Sequence, residues 1–241
     1  SGRGRSEKMT GGYYDLHSHS CLSPCASDDM TPANIAGMAS LKQLSFIALT
    51  DHNCGRNLPA MARAAAEYGL TFMPGIEVTT AEEVHVLTYF RDVQTALKFG
   101  EMVYASLPDI ANRSEIFGRQ IVMNENDEPV SELPKLLLQA TPFSIEEIVR
   151  RAQEAGGCAI PAHVNRPSFS VLANLGFMPP GLFRAAEVSP DLPCPPFSES
   201  LFILHSSDAH HLGDISEPHN LLSNIQNPSE FIDFILNFST N

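Results

Sequence analysis

The 241-residue sequence lacks a long apolar run and has few basic residues. No stretch approaches the roughly 20 apolar residues that a membrane-spanning helix needs. With 15 Lys and Arg against 28 Asp and Glu, its formal net charge is −13. That balance argues against a broad nucleic-acid-binding surface, because such binding depends on clustered basic side chains. An acidic protein still binds phosphate groups where metal ions reverse the local charge. The sequence therefore predicts no membrane association and favours small or short ligands.

Cysteine is also scarce, and its pattern predicts no disulfide framework. The five cysteines form an odd set without the paired spacing of a zinc finger, which fits a reducing, cytoplasmic setting. An alternative pairs Cys21 and Cys25 with His17 and His19 around a metal ion, although incidental thiols are the more common explanation. No apolar segment follows the polar, basic stretch Ser1–Thr10. We therefore expect a disordered tail there and not a signal peptide.

Short apolar runs alternate with segments of helical spacing along most of the chain. Helices are predicted at Pro32–Gln43, Leu58–Tyr68 and Ser144–Ala155, each with cap or stop residues at its ends. This alternation indicates a largely parallel α/β sheet, either a barrel or an open sheet. The predicted strands are Tyr13–Leu16, Phe46–Thr50, Thr71–Val78, Val84–Phe90, Cys158–Ala162, Ala185–Val188 and Leu201–Leu204.

The segment 92–140 interrupts this alternation. It combines helical pieces with an acidic, proline-bearing stretch, Asn124–Pro134, and it contains none of the candidate site residues. We predict that it is a small, mainly helical insertion that forms a cap or lid. The ranges 11–91 and 141–241 then make up the catalytic domain.

Histidine and carboxylate side chains directly follow four of the predicted strands. In parallel α/β folds the carboxyl ends of the strands meet at one edge, where loops converge on a shared crevice. These side chains are therefore expected to lie close together. They are His17, His19, Asp51, His52, His163, Asp208 and His210.

Two of these positions have the spacing of a metal-binding pair. His17 and His19 are two residues apart, so in extended backbone both imidazoles point to the same side. Two imidazoles on one face can bind one ion, with Zn–N distances near 2.0–2.1 Å. Asp208 and His210 repeat the geometry with a carboxylate.

A hairpin is predicted to supply two more ligands. A turn centred near Ala81 would place Glu77 directly opposite His85, about 4.5–5.5 Å apart at Cβ. A carboxylate and an imidazole would then lie side by side, as a bridging ligand and its neighbour do. His85 would belong to an antiparallel strand, so the sheet would not be purely parallel.

A single histidine at a strand end is usually hydrogen-bonded or capping. Burying this many imidazoles and carboxylates without a metal would, however, leave costly unsatisfied polar groups, so a metal site is predicted. We interpret His205 as a core or supporting residue, and His211 and His219 as surface or loop residues. Arg166 has two readings: its bidentate fork binds a substrate phosphate, or it forms a loop salt bridge.

Six motifs in this chain resemble the successive motifs of the PHP (polymerase and histidinol phosphatase) superfamily. They occur in the family's order, span roughly residues 13 to 211, and are most similar to the small stand-alone phosphoesterase members. The motifs are Tyr14–His19, Thr50–His52, Pro74–Glu77, Val84–Val86, Pro161–His163 and Ser207–His210.

The resemblance implies a distorted, seven-stranded β/α barrel that holds two to three divalent metal ions. The mixed nitrogen and oxygen ligand set suits Mn, Zn or Fe, and softness alone does not choose among them. By motif match, Glu77 would bridge two ions, the first held also by His17, His19 and Asp208 and the second by His85 and His163.

A third ion would be bound by His52 and His210. Family members complete that site with a His or Asp several residues after the HxH pair. This chain departs from the pattern there and offers Cys25, Asp28 and Asp29, any of which could serve.

We therefore expect a metal-dependent phosphoric ester hydrolase whose only catalytic groups are the metal cluster and its hydroxide. The hydroxide would attack a small phosphate ester or nucleotide, and Asp15 and Asp51 would orient the imidazoles. Alternatives are an exonuclease-like phosphodiesterase on short oligonucleotides and a non-catalytic, metal-stabilised binding module. An amidohydrolase would call for a carboxylated lysine or a different ligand set, and no lysine is placed to supply it.

Overall fold

The computed structural model describes residues 11–197 and 200–239, so the predicted tail Ser1–Thr10 lies outside the described residues. The strands are β1 Gly11–Asp15, β2 Phe46–Leu49, β3 Thr71–Thr79, β4 His85–Tyr89, β5 Ile121–Met123, β6 Pro129–Glu132, β7 Cys158–Pro161, β8 Ala185–Glu187, β9 Phe202–Leu204 and β10 Leu221–Ser223. The helices are α1 Pro32–Leu41, α2 Leu58–Glu67, α3 Val93–Ser106, α4 Ser114–Phe117, α5 Ile145–Glu154, α6 Val171–Leu175 and α7 Pro228–Leu236, with a 3-10 turn at Leu212–Asp214.

All seven predicted strands and all three predicted helices are confirmed, with ends that move by no more than two residues. The helix boundaries follow from local chemistry. Thr31 caps α1 by accepting a hydrogen bond from the third residue along, and Ser144 and Glu147 form a complete capping box on α5. After α2 and α5 the chain turns at Gly69 and Gly156, whose φ values of 69° and 77° favour glycine.

The main sheet is mixed. Its six strands lie in the order β10-β1-β2-β3-β4-β7, with β1, β2 and β3 parallel and β4 antiparallel to both of its neighbours. Strands β8 and β9 pair with each other in a separate parallel sheet. An α/β fold is therefore confirmed, but a closed seven-stranded barrel is not, since no ladder joins β8 or β9 to the main sheet within the described residues.

Side chains help to join the β8–β9 sheet to β1 along the seam where no ladder forms. The hydroxyl of Ser206 accepts a hydrogen bond from Leu16 N at 3.1 Å, and the hydroxyl of Tyr14 accepts one from His205 N at 3.2 Å. Both contacts join the segment after β9 to β1. Single backbone hydrogen bonds, from His19 N to Ala209 O at 3.0 Å and from Val164 N to Glu187 O at 2.9 Å, also join the two-stranded sheet to the rest of the wall around the site.

The predicted register of the β3–β4 hairpin is wrong. Glu77 pairs with Leu87, and His85 pairs with Thr79. The reason is the turn, which Thr80 N closes onto the carbonyl of Val84 at 2.9 Å, one residue later along the chain than predicted. Because the two positions still share a face of the sheet, the Glu77 and His85 side chains meet diagonally.

Strand residues alternate between two apolar cores. One core packs the outer face of the sheet against α1, α2, α3 and α5. The other covers the inner face and takes Phe231, Ile232 and Ile235 from α7. Along β4, Leu87 and Tyr89 point into this inner core, so the alternation aims His85 at the same side. The inner face is therefore apolar over most of its length and polar at one edge.

The segment 92–140 combines helices α3 and α4 with the hairpin β5–β6. Helix α3 packs into the outer core of the sheet. Residues 107–140 contact the loops that follow β1 and β2: Ile121 N donates to Cys21 O, and the Asn53 amide donates to Leu137 O, both at 2.8 Å. The role of this segment as a separate cap remains a prediction.

No helix among residues 11–197 and 200–239 is both long and apolar enough to cross a membrane. The longest, α3, has 14 residues.

Gly75 lets β3 lie close to its neighbours two residues before Glu77. An added methyl group would lie 2.8 Å from Thr88 O and 2.9 Å from the Thr50 side chain. We expect Gly75→Ala to lower the free energy of unfolding by about 1–3 kcal/mol through overpacking, measured by denaturant titration. Gly213→Ala is the control, because its methyl group would meet no atom within 4 Å. Equal stability of the two variants would contradict this account.

Candidate metal centre

The loops after β1, β2, β7 and β9, together with β3 and β4, bring all eight predicted ligands to one edge of the sheet. Two isolated parallel bridges fix the loops there, joining Ser18 to Ala209 and His52 to Glu77. The convergence predicted from the strand ends is thus present. The eight residues are His17, His19, His52, Glu77, His85, His163, Asp208 and His210.

The Glu77 carboxylate lies at the centre of this cluster and is 1% exposed. Five imidazoles surround its two oxygens, so Glu77 is in contact with five of the other seven ligands. Oε1 lies 3.4 Å from His17 Nε2, 3.0 Å from His85 Nδ1 and 3.3 Å from His163 Nε2, while Oε2 lies 3.3 Å from His19 Nε2 and 3.1 Å from His52 Nδ1.

The HxH pair and Asp208 form a tight group with Glu77. The Nε2 atoms of His17 and His19 are 3.2 Å apart, and Asp208 Oδ1 lies 3.1 Å and 2.9 Å from them. One ligand atom from each of these four side chains lies within 4.8 Å of all the others. This is the group that the motif match assigns to the first ion.

In two further groups the ligand atoms also lie within 4.8 Å of one another. One joins His52, Glu77 and His85, and the other joins His19, His52 and His210. His163 contacts Glu77 but belongs to neither group. His52 therefore lies between the positions expected for the second and third ions.

Buried polar atoms without partners indicate what the cluster lacks. Within the described residues, Glu77 Oε2, His52 Nδ1 and His163 Nδ1 are buried and make no hydrogen bond. Leaving such atoms unsatisfied costs free energy. A cation between Glu77 and His52 would satisfy two of them at once, and the donor set of imidazoles and carboxylates fits a divalent transition metal.

The electrostatics point the same way. Burial alone would lower the pKa of His17, but the carboxylates of Glu187 and Asp208 outweigh burial and hold that pKa well above its usual range. Neighbouring carboxylates likewise overcome burial at His19 and His52 and raise the pKa of each to about 9. The carboxylates thus favour positive charge at these imidazoles.

The two carboxylates show the reciprocal effect. Burial would raise the pKa of Glu77, yet the imidazoles, with His85 foremost, hold it well below its usual range. Asp208 behaves in the same way. Burial and the charge of His19 lower the pKa of His210 to about 4. The centre therefore retains two buried anions that need a positive partner.

A carboxylate that the sequence analysis missed orients the first ligand. Glu187 on β8 is 1% exposed, and both of its oxygens lie 2.9 Å from His17 Nδ1. Its Oε1 also accepts a hydrogen bond from His163 N at 2.9 Å. Metal-binding histidines commonly have such a partner on the second ring nitrogen. The signal was a lone acidic residue inside an otherwise apolar strand.

The predicted roles of Asp15 and Asp51 need correction. Asp51 reaches His19 only through Ser23, whose hydroxyl lies 2.7 Å from Asp51 Oδ1 and 3.1 Å from His19 Nδ1. Asp15 accepts hydrogen bonds from the backbone and hydroxyl of Ser207. It therefore positions the loop that carries Asp208, and does not orient an imidazole ring.

Among the three candidates for the third site, Cys25 contacts a predicted ligand. Its thiol is hydrogen-bonded to the His52 imidazole and contributes to the raised pKa of that ring. Asp28 instead pairs with Arg119 at 3.3 Å, and Asp29 is exposed. Neither Asp28 nor Asp29 therefore takes the place of the additional His or Asp ligand that the family uses at the third site.

The other histidines and Cys21 lie outside the cluster. Cys21 is buried, and its thiol donates to a backbone carbonyl of β5, which contradicts the alternative in which it shares a metal with the HxH pair. The ring of His205 bonds to a backbone carbonyl after β8. His211 and His219 are exposed.

Arg166 lies at the rim of the site. Its Nη1 pairs with Asp208 Oδ2, and its side chain remains 35% exposed. It lines a cavity of about 150 Å³ whose wall includes Glu77, His85 and His163. The salt bridge and a surface for binding an anion therefore coexist in one side chain.

Backbone strain accompanies the ligands. The φ angles of His163, Asp208, Asn53 and Phe169 are 30°, 53°, 51° and 52°, in the left-handed region that is costly for residues other than glycine. Such strain persists where surrounding contacts hold it, and it is common at functional sites. Here it turns the chain sharply at the strand ends.

Together, the fold and these side-chain groups define a candidate centre for divalent metal ions. No family model matches the chain. A segment of 73 residues is 37% identical to a 3',5'-nucleoside bisphosphate phosphatase from Chromobacterium violaceum, which covers 30% of this chain and 25% of that protein. The aligned part thus spans only a quarter of the relative.

Solved structures share the fold at low identity. One is a protein assigned as a metal-dependent phosphoesterase from Bifidobacterium adolescentis, with a TM-score of 0.58 and 18% identity over 94% of this chain and 96% of that one. Another is a lesion-specific endonuclease from Pyrococcus furiosus, with a TM-score of 0.56 and 22% identity over 84% and 49%. At this identity the solved structures show a shared α/β fold, and the phosphatase name of the aligned relative is consistent with the PHP resemblance and with a hydrolase.

Glu187→Gln tests the support of His17. The amide keeps the size of the side chain but removes the charge that faces His17 Nδ1, so we expect metal affinity to fall about 10- to 100-fold. Titration calorimetry with Mn²⁺ or Zn²⁺ would measure the change. Glu154→Gln, an exposed acid on α5, is the control. An unchanged affinity would rule out this role for Glu187.

Proposed function

We propose that this chain is a metal-dependent phosphoesterase that hydrolyses a small phosphate ester or nucleotide. The observation that carries the proposal is the buried Glu77 carboxylate, which five imidazoles surround at the wall of an accessible cavity. We assign the eight clustered side chains as ligands of two to three divalent ions, Mn, Zn or Fe.

In this proposal the chain's own residues fix charge and geometry. His17, His19 and Asp208 hold one side of the centre, and Glu77 bridges to the side of His85 and His163. Divalent ions bound there would lower the pKa of a water molecule toward neutrality and neutralise charge on the phosphoryl oxygens.

Arg166 is proposed to bind the substrate phosphate. Its guanidinium lies on the cavity rim beside Asp208 and is partly exposed. Donors on its free edge would contact a phosphate oxygen that points away from the metal centre. Pairing with Asp208 holds the side chain in this position before the substrate arrives.

The net charge of −13 favours a small substrate, because it disfavours binding of a long polyanion. The cavity over the cluster measures about 150 Å³, and two of its lining residues, Arg166 and Asp208, also line a second cavity of about 490 Å³. The name of the aligned Chromobacterium violaceum protein supports a nucleotide phosphate. Short oligonucleotides are the second substrate class to be tested.

The segment 92–140 is proposed to act as a cap, and residues 107–140 are its part next to the site. They contact the loops that carry His19 and His52, through the backbone of Cys21 and the side chain of Asn53. A cap in this position would restrict access and exclude water from the site.

Glu77→Gln tests the bridging carboxylate. Loss of its negative charge should lower the bound metal and abolish hydrolysis of p-nitrophenyl phosphate in the presence of Mn²⁺, because the other ligands would lose their common partner. Metal content is measured by plasma mass spectrometry and activity by nitrophenolate absorbance. The control is Glu101→Gln. Glu101 is an exposed acid on α3 that forms a surface ion pair with Arg56.

Full activity of Glu77→Gln would refute the bridging assignment. If the parent protein binds metal but hydrolyses neither p-nitrophenyl phosphate, nucleotides nor short oligonucleotides, the non-catalytic binding module is favoured instead.

Removal of the metal by a chelator should also stop hydrolysis, and Mn²⁺ should restore it.

Arg166→Lys tests the phosphate contact. Lysine keeps the charge but loses the planar fork, so we expect the KM for p-nitrophenyl phosphate to rise about tenfold, equivalent to roughly 1.4 kcal/mol. The metal content should stay constant. Arg150→Lys, which changes an exposed ion pair with Glu154, is the control. A KM equal to that of the parent would leave Arg166 with only its salt bridge.

A further inference from the structure

Phe169 is an exposed aromatic residue at the mouth of the candidate centre. It lines the same cavity as Glu77, His85 and Arg166, and 44% of its surface is exposed. Its ring stacks on the imidazole of His85, with centroids 4.8 Å apart and planes at 25°. One face of the ring is therefore covered, while much of the rest of the side chain is accessible.

The conformation of Phe169 is costly for a residue of its kind. A φ of 52° crowds the Cβ of a bulky side chain, at roughly 1–2 kcal/mol. An exposed ring also forgoes the stabilisation that burial of an aromatic side chain provides. Because neither feature benefits folding, a role at the site is the better explanation.

The backbone holds this ring in place. Phe169 O accepts a hydrogen bond from His85 N at 3.0 Å. On its two sides, Arg166 N donates to His163 O at 2.9 Å and the Ser170 hydroxyl donates to Arg166 O at 2.7 Å. The loop that presents the ring is thus tied to β4 and closed upon itself.

Arg166 and Phe169 therefore occupy one short loop on the cavity rim, three residues apart. The geometry points to Phe169 as a stacking platform for a planar aromatic group of the substrate, while Arg166 and the metal centre bind its phosphate. The substrate class is then a phosphate ester whose alcohol carries an aromatic ring, as a nucleoside does. This inference rests on the proposed phosphoesterase function and narrows its substrate.

The energetics of stacking make the proposal testable. Aromatic side chains that stack on nucleobases change binding by about 1–3 kcal/mol on substitution. Stacking is tolerant of the base, because every base has a π face. The contribution should therefore be lost when the ring is replaced, and it should be absent for a substrate without an aromatic group.

Adenosine 5'-monophosphate and ribose 5-phosphate form a matched pair, because they share the sugar and phosphate and differ in the base. We would compare the parent protein with Phe169→Leu, which keeps apolar bulk but has no ring, and with Phe169→Tyr, which keeps the ring. Leucine is preferred to valine because it has no β-branch to strain the positive φ further. The metal-loaded full chain is used throughout.

Phe169→Leu should raise the KM for adenosine 5'-monophosphate about fivefold or more and leave that for ribose 5-phosphate unchanged. Phe169→Tyr should match the parent for both. Equal increases for the two substrates, or a loss of bound metal in Phe169→Leu, would mean that the ring only positions His85. Either result would overturn the platform.

Binding separates this inference from the proposed function. The 5'-phosphonate analogues of the two compounds have a carbon atom in place of the ester oxygen and are not hydrolysed, so calorimetry reports affinity without turnover. Suppose that the parent hydrolyses neither ester but binds the adenosine phosphonate more tightly, and that Phe169→Leu abolishes this preference. The stacking role of Phe169 would then stand and the proposed phosphoesterase function would be wrong. If the parent instead hydrolyses both esters with equal KM, the phosphoesterase function stands and the stacking role is wrong.

Discussion

The Glu77 carboxylate is the group around which the site is arranged. A buried carboxylate is costly unless positive charge and hydrogen bonds compensate for it. Here five imidazoles supply the compensation from three loops and one strand. Strand β3 lies in the interior of the sheet order, so the chain on either side can reach Glu77. Protons on the imidazoles satisfy it only in part, since Oε2 remains without a hydrogen bond. The arrangement is therefore that of a receptor for cations.

The sheet serves this centre by dividing its inner face. Leu87 and Tyr89 on β4 pack into the inner core with residues of α7, and one further step of the same alternation brings His85 to the polar edge. Folding and metal binding thus use the same face at different depths. The apolar inner core stabilises the fold whether or not a metal is bound. It also holds the ligand side chains close together at the polar edge, where each would otherwise be separately hydrated.

Much of the cluster could be predicted from the sequence because its signals are local. The spacing of His17 and His19, and the position of His52, His163 and Asp208 after apolar runs, each depend on a few neighbouring residues. Glu187 left only the weak signal of an acid in an apolar strand, and Phe169 left none, since the roles of both follow from contacts across the fold. The hairpin register failed because a turn one residue later shifts every pair, while the shared face, which depends only on parity, survived. The closed barrel that the resemblance implies is not confirmed. Within the described residues β9 and β1 share no ladder, and the contacts between them, from Ser206, Tyr14 and the backbone of Ala209, leave no periodic signal.

That seam has a consequence for how the protein is held together. Asp208 and His210 lie on the β9 side of it, whereas the HxH pair and Glu77 lie on the side of the main sheet. An ion shared between the two sides would link the β9 segment to the main sheet across a seam that has no strand ladder within the described residues. Loading of the centre and closing of the wall are then linked equilibria, each favouring the other. The chain's resistance to unfolding would consequently track the free metal concentration of its surroundings.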